Sequence, residues 1–140
     1  MKISTKGRYA LRLMVDLAQH KSEGTISLKD ISQRQEISLK YLEQIVPPLS
    51  KGGLIKSVRG SQGGYYLLKD PKDYTVLDIL TALEGPVSCV ACLDTPVNTC
   101  PRYEECLTIP FYEGLNQMII DYMSKYTLDD LVNKRSYELS

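Results

Sequence analysis

Several features are missing from this 140-residue chain, and each absence closes a class of function. No run of 18 apolar residues occurs, and no charged-then-apolar segment opens the chain. Neither a membrane span nor a signal peptide is expected, and the protein is expected to be cytoplasmic. Histidine occurs once, as His20, far in sequence from every cysteine, so no histidine stands beside a thiol to make a protease-like pair. No glycine-rich loop opens a helix after a buried strand, which removes the usual phosphate-cradling motifs. Cys89-Val90-Ala91-Cys92 has the C-x-x-C form of a thiol oxidoreductase but no βαβ pattern around it, and two further cysteines follow. No enzyme is expected. Net charge is missing too, at 17 Lys and Arg against 17 Asp and Glu. That balance hides a segregation. Residues 1–69 hold 12 basic against 5 acidic side chains, a surplus of +7, and residues 70–140 hold 5 against 12, a surplus of −7. A basic half suits a polyanion and an acidic half suits staying off it, as in a nucleic-acid reader joined to something else.

What is present organises itself around Ser38 to Tyr66. Leu39, Leu42, Ile45, Val46 and Leu49 recur at helical spacing and leave Lys40, Tyr41, Glu43 and Gln44 to face outward. After Gly52-Gly53, the runs LIKSV and YYLL joined by RGSQGG predict a β-hairpin with a basic, glycine-rich tip, which puts Arg59 where a narrow minor groove would attract it. Upstream, the spacing predicts a helix over Met1–His20, with Lys2, Lys6, Arg8 and Arg12 in reach of phosphates. Ser27-Leu28-Lys29-Asp30 starts a short helix to about Arg34, and Gln35-Glu36-Ile37 links it tightly to the Ser38 cap. Two helices, a turn of that length and a hairpin make a winged helix-turn-helix. The fold class expected is mainly α with a β-hairpin wing and a long carboxy-terminal dimerisation helix. Pro47 and Pro48 remove two helical N–H groups, so regular helix is expected through about Val46, followed by a bent turn to Lys51.

Thr75-Val76-Leu77-Asp78 opens another helix that stops at Gly85-Pro86. All four cysteines, Cys89, Cys92, Cys100 and Cys106, then fall in one 18-residue window with little periodicity. Thr108–Lys125 is helical again, and Phe111, Leu115, Met118, Ile119 and Tyr122 make a seam suited to a homodimer interface. Thr127-Leu128-Asp129-Asp130 starts a last short helix. The expected division is a winged helix-turn-helix over 1–84, a cysteine-containing sensor loop over 85–107, a dimerisation helix and short terminal helix over 108–132, and a mobile tail over 133–140.

The residues resemble a known family, the bacterial winged-helix regulators that include the iron-sulfur-cluster assembly regulator, the nitric-oxide-sensing repressor and the cysteine-metabolism repressor. The resemblance rests on MKISTKGRYALRLMVDLA, SLKDISQRQEISLKYLEQIVPPLSKGGLIKSVRGSQGGYYL, TVLDILTALEGP and TLDDLV, and covers nearly the whole chain. It implies a homodimer on a palindromic double-stranded operator, with Ser38, Lys40, Tyr41, Glu43 and Gln44 in the major groove and Arg59 of the wing in the minor groove. Cluster-binding members use three loop cysteines, typically five residues apart, with a variable fourth ligand. Here Cys100 and Cys106 keep that gap, seven residues separate Cys92 from Cys100, and Ile109 stands where one branch has a ligating histidine.

Four soft thiols from one loop, in the spacing C-x2-C-x7-C-x5-C, suit a [2Fe-2S] or [4Fe-4S] cluster or a tetrahedral zinc. With the resemblance, an iron-sulfur cluster held by Cys92, Cys100 and Cys106, with Cys89 as the fourth ligand, is the expected cofactor. Zinc, thiol oxidation and an enzyme partner of sulfur metabolism are the alternatives.

Overall fold

The computed structural model describes residues 2–137. The first helix, α1 (Thr5–Gln19), starts four residues later than its apolar spacing predicts, because the Ser4 side chain accepts the Gly7 N–H and ends the helix there. Its buried stripe is Ala10, Leu13, Met14 and Leu17. Helix α2 (Leu28–Gln35) is capped by Ser27 and ends at Glu36, whose φ of 54° turns the chain through the left-handed region. Ser38 caps α3 (Leu39–Lys51) by accepting the Tyr41 N–H.

Helix α3 departs from expectation at the prolines: it runs unbroken to Lys51, with Pro47 and Pro48 inside it. The carbonyls they leave without a helical partner belong to Glu43 and Gln44, both on the solvent-exposed side of the helix, where a carbonyl open to solvent costs little. Burial of Ile45, Val46 and Leu49, and the bond from the Gly52 N–H to the Pro48 carbonyl, hold the last turn in register. Leu39 also departs from expectation. As the first helical residue it stays exposed between exposed Ser38 and Lys40, beyond the edge of the core.

Strands β1 (Ile55–Val58) and β2 (Gly64–Leu67) pair antiparallel, from Ile55 opposite Leu67 to Val58 opposite Gly64. Helix α4 (Val76–Glu84) begins with a capping box in which Thr75 and Asp78 satisfy each other's backbone N–H. Between α4 and α5 (Ile109–Lys125) the chain forms only two single 3-10 turns, Ala91–Leu93 and Tyr103–Glu105. A second capping box, Thr127 with Asp130, opens α6 (Leu128–Val132).

The core lies among α1, α2, α3 and α4, with Leu13, Met14, Leu17, Ile31, Leu42, Ile45, Leu49 and Ile79 all closed to solvent. Helix α6 closes it from below: Leu128 is fully buried against the same cluster, so the segment after α5 returns to the head. Helix α5 buries only Ile109 and Met123 and leaves Phe111 66% and Met118 62% exposed. Residues 133–137 lie against α6 and α5, with Arg135 paired to Asp129 and Asp130 and the Tyr137 ring against Tyr126. Residues 138–140 of the expected tail lie outside the described residues.

Candidate functional site

Two surfaces carry the chemistry-bearing side chains. The first is the outer face of α3 with the start of α1. Ser38, Lys40, Glu43 and Gln44 are exposed, while Tyr41 is half-buried with its ring edge-on to Tyr9, centroids 5.3 Å apart. The Arg8 and Arg12 guanidinium carbons lie 5.9 and 5.3 Å from the Tyr9 centroid. Arg8 and Tyr41 are thus brought into one row, α1 beside the first turn of α3. Arg12 differs from Arg8: it donates to the Gln35 backbone oxygen and side-chain oxygen, so it braces α2. Lys6 is exposed on the first turn of α1.

Arg59 stands apart at the exposed tip of the wing. That tip is shaped by close backbone approaches: a Cβ at Gly63 would meet the Val58 carbonyl oxygen at 2.2 Å, and one at Gly64 would meet the Ile26 oxygen at 2.3 Å. Gly64 is needed because Ile26 and Tyr65 exchange two backbone hydrogen bonds, at 2.9 and 2.8 Å, against the outer edge of β2.

Two positions that frame this surface escape a reading of sequence pattern. Asp16 is fully buried and accepts from Arg34 at 2.7 and 3.0 Å and from Gln35 at 3.1 Å, tying α1 to the end of α2. Burial alone would raise its carboxyl, but the hydrogen bonds from Arg34 and Gln35 hold it below the usual carboxylate range. The available signal was an acid set inside the apolar stripe of α1. Tyr74 is the other, a fully buried ring whose hydroxyl makes three backbone hydrogen bonds at the root of the wing. Its one sequence signal is an aromatic residue immediately before the Thr75 cap.

The second surface is the cysteine loop at the foot of α5. Cys89 is half-buried, its N–H donating to Asn116 Oδ1 at 2.8 Å and its thiol to the Tyr112 carbonyl at 3.5 Å. Asn116 Nδ2 also donates to the Val87 carbonyl at 3.4 Å, so α5 grips the start of the loop. Cys92 is exposed, and the Cys100 N–H donates to Asn98 Oδ1 at 2.9 Å. Cys106 lies 3.4 Å from Thr108 Oγ1. That hydroxyl, with the Thr108 and Ile109 backbone N–H groups opening α5, lowers its thiol below the ordinary value. All four cysteines are free thiols.

Among the described residues, no three His, Cys, Asp or Glu side chains gather as a metal-holding group. The donor set nonetheless has the right chemistry for a thiophilic centre, with four thiols in 18 residues and one of them, Cys106, lowered below the ordinary thiol value. The buried Asn98 Nδ2, between Cys92 and Cys100, has no hydrogen-bond partner among the described residues, which marks this stretch of the loop as incompletely satisfied.

Residues 3–134 match the family model Rrf2, described as an iron-dependent transcriptional regulator. The chain belongs to the Rrf2 family. Among its Rrf2 relatives is the HTH-type transcriptional regulator IscR of Pectobacterium atrosepticum, 41% identical over 135 residues that span 96% of this chain and 81% of the relative. Of solved structures, CymR, the global cysteine regulator of B. subtilis, superposes with a TM-score of 0.76 at 39% identity, covering 97% of this chain and 99% of that one. The IscR of T. potens gives a TM-score of 0.76 at 40% identity, covering 96% and 88%. The winged-helix architecture is therefore that of the Rrf2 regulators, and this Rrf2 chain is a DNA-binding transcriptional regulator. Among the described residues, no helix is long and apolar enough to cross a membrane.

Proposed function

We propose that the protein is a homodimeric, operator-binding regulator, most simply a repressor, whose DNA affinity is set by the cysteine loop. The observation that carries this reading is the attachment of that loop to α5. Asn116 and Tyr112 hold Cys89 directly, so any change in the path of the loop acts on the helix whose apolar face is open. Cys92, Cys100 and Cys106 are the ligands in this reading, with Cys89 the fourth. An iron-sulfur cluster, when bound, supplies a centre sensitive to oxidation, iron loss and nitric oxide.

Each protomer presents Ser38, Lys40, Tyr41, Glu43 and Gln44 to the major groove, Arg59 to the minor groove, and Lys6 and Arg8 to the phosphates. Glu43 accepts from a cytosine amino group, so Glu43→Ala relaxes preference at one base pair by about 1–3 kcal/mol. Phe111, Leu115 and Met118 meet their copies across the dimer axis. A palindrome requires the two α3 helices about 34 Å apart, so a small rotation about α5 weakens binding.

The test is the visible spectrum and the iron, sulfide and zinc content of protein purified without oxygen, beside single Cys→Ala variants, with operator affinity read at fixed salt. Absorption bands lost in the Cys92, Cys100 and Cys106 variants, together with a change in affinity, are expected. Unchanged affinity on iron loading defeats the switch.

One observation favours a second reading. The thiols are not gathered, and the Thr108 hydroxyl and the backbone N–H groups opening α5 lower the Cys106 thiol below its ordinary value. A colourless protein whose affinity responds to oxidant, to zinc or to an enzyme of sulfur metabolism would move the signal there.

A further inference from the structure

The root of the wing rests on Tyr74, whose hydroxyl has no part in the reading above. It donates to the Leu54 carbonyl at 2.7 Å and accepts from the Leu68 N–H at 2.9 Å and the Lys69 N–H at 3.1 Å. Leu54 immediately precedes β1 and Leu68 immediately follows β2, so the hydroxyl supplies one more rung below the Ile55 and Leu67 pair. Elsewhere the wing is held on the β2 side, by the Ile26–Tyr65 pairing and by the Thr25 hydroxyl donating to the Gln62 carbonyl at 3.0 Å. Ile55 and Leu67 are its buried strand residues and both sit at the root, while Lys56, Ser57 and Val58 are exposed and, on β2, half-buried Tyr65 packs on the edge of the core. The pairing of Ile26 with Tyr65 restrains β2 from outside, whereas Tyr74 reaches the roots of both strands at once.

The backbone of the same residue faces the other way. Its carbonyl accepts the Leu128 N–H at 2.9 Å, and the Val76 N–H donates to the Tyr126 carbonyl at 2.9 Å, where Thr75 and Thr127 form an antiparallel bridge. Tyr74 therefore stands between the wing and the junction of α5 with α6.

We propose that Tyr74 is a positioning residue: its hydroxyl fixes the angle of the wing on the head and thereby the reach of Arg59 into DNA. This rests on the reading of Arg59 as a DNA contact. Removal of the hydroxyl keeps the buried ring but frees the wing root to tilt, and the cost falls on whatever Arg59 contributes.

The experiment is a double-mutant cycle in the full-length protein with Tyr74→Phe and Arg59→Ala. Binding is measured at fixed salt to a short duplex that the wild-type protein has selected from a random-sequence pool. Each single variant is expected to weaken binding roughly five- to twentyfold, and the double variant is expected to bind within about twofold of Arg59→Ala alone. A purely structural role for Tyr74 would lower thermal stability without this non-additivity. If Arg59→Ala binds like wild type, the reading of the wing fails and takes the positioning role with it. If Arg59→Ala is weak while Tyr74→Phe is silent, or the two losses multiply, the wing reading stands and the role of Tyr74 is overturned. Should Tyr74→Phe fold poorly, amide exchange in the wild-type protein decides instead. Protection of the Leu68 and Lys69 amides alongside the β-ladder supports the role, and exchange as fast as the 59–63 tip overturns it.

Discussion

The reading head and the cysteine loop are built on opposite principles. In the head each of the α-helices α1 to α4 has a side-chain N-cap, at Ser4, Ser27, Ser38 and Thr75, and each buries an apolar face against the same cluster. In the loop neither 3-10 turn has a side-chain cap, Leu107 is 95% exposed and Val97 is 73% exposed. The head draws its stability from burial that needs no other molecule. The loop has no apolar interior of its own, so ligands or neighbours must supply what order it needs. A rigid reader joined to a weakly self-determined segment is the arrangement in which a small chemical event changes the segment and leaves the reader intact.

The strongest way to break this comparison is Leu42→Ala. The side chain is closed to solvent on α3, and truncation is expected to cost about 2–5 kcal/mol in chemical denaturation. Next comes Met118→Glu on the open face of α5. It is expected to weaken the proposed self-association by about 2–4 kcal/mol in sedimentation while leaving the far-UV spectrum of the head unchanged, and unaltered sedimentation would remove α5 from the proposed interface. Asp16→Asn follows, at about 1–3 kcal/mol. That is less than for a fully enclosed pair, because the Arg34 side chain is 34% open to water.

Acid sharpens the same contrast. The Asp130 carboxyl is held at about 2, first by the Thr127 backbone N–H and then by the Tyr137 hydroxyl, with Arg135 adding to both. Its folded value lies below the ordinary 3.8. It therefore contributes stability in full above about pH 4 and loses it as pH falls toward 2. Asp130→Asn should thus melt below wild type at neutral pH, and the gap should close on acidification. A gap independent of pH would mean that the ionised carboxylate is not the source. The smallest effect expected is Leu107→Ala, within about 0.5 kcal/mol, because the side chain has almost no neighbours to lose.

Much of the head was legible in sequence because its signals are local. A cap and its acceptor lie three residues apart, an apolar stripe repeats every turn, and a glycine-rich run between two apolar runs spells a hairpin. Where non-local bonds decide, pattern could mark the residue but not its partner. Asp16 meets Arg34 eighteen residues away, and Tyr74 reaches Leu54 twenty residues back. The proline pair misled for a related reason. A missing N–H is visible in sequence, but whether the orphaned carbonyl faces water is not, and at Glu43 and Gln44 the residues are exposed. In the loop, the identity and spacing of the thiols were plain, while their arrangement follows no periodicity and so could not be read. The row of Arg8, Tyr9 and Tyr41 was half legible: Arg8 and Tyr41 were expected at the surface, whereas Tyr9 between them and the stacking were not.

The bridge between Thr75 and Thr127 has a consequence for how such a chain can vary over time. It pins together the two ends of everything from α4 to α5, so the cysteine segment hangs from a closed base. The entropy of closing a flexible loop grows only with the logarithm of its length, about 0.6 kcal/mol for each doubling. Insertions and deletions of a few residues between the thiols are therefore nearly free for the rest of the molecule. A segment mounted in this way can shift the spacing and number of its cysteines while the same head goes on folding beneath it.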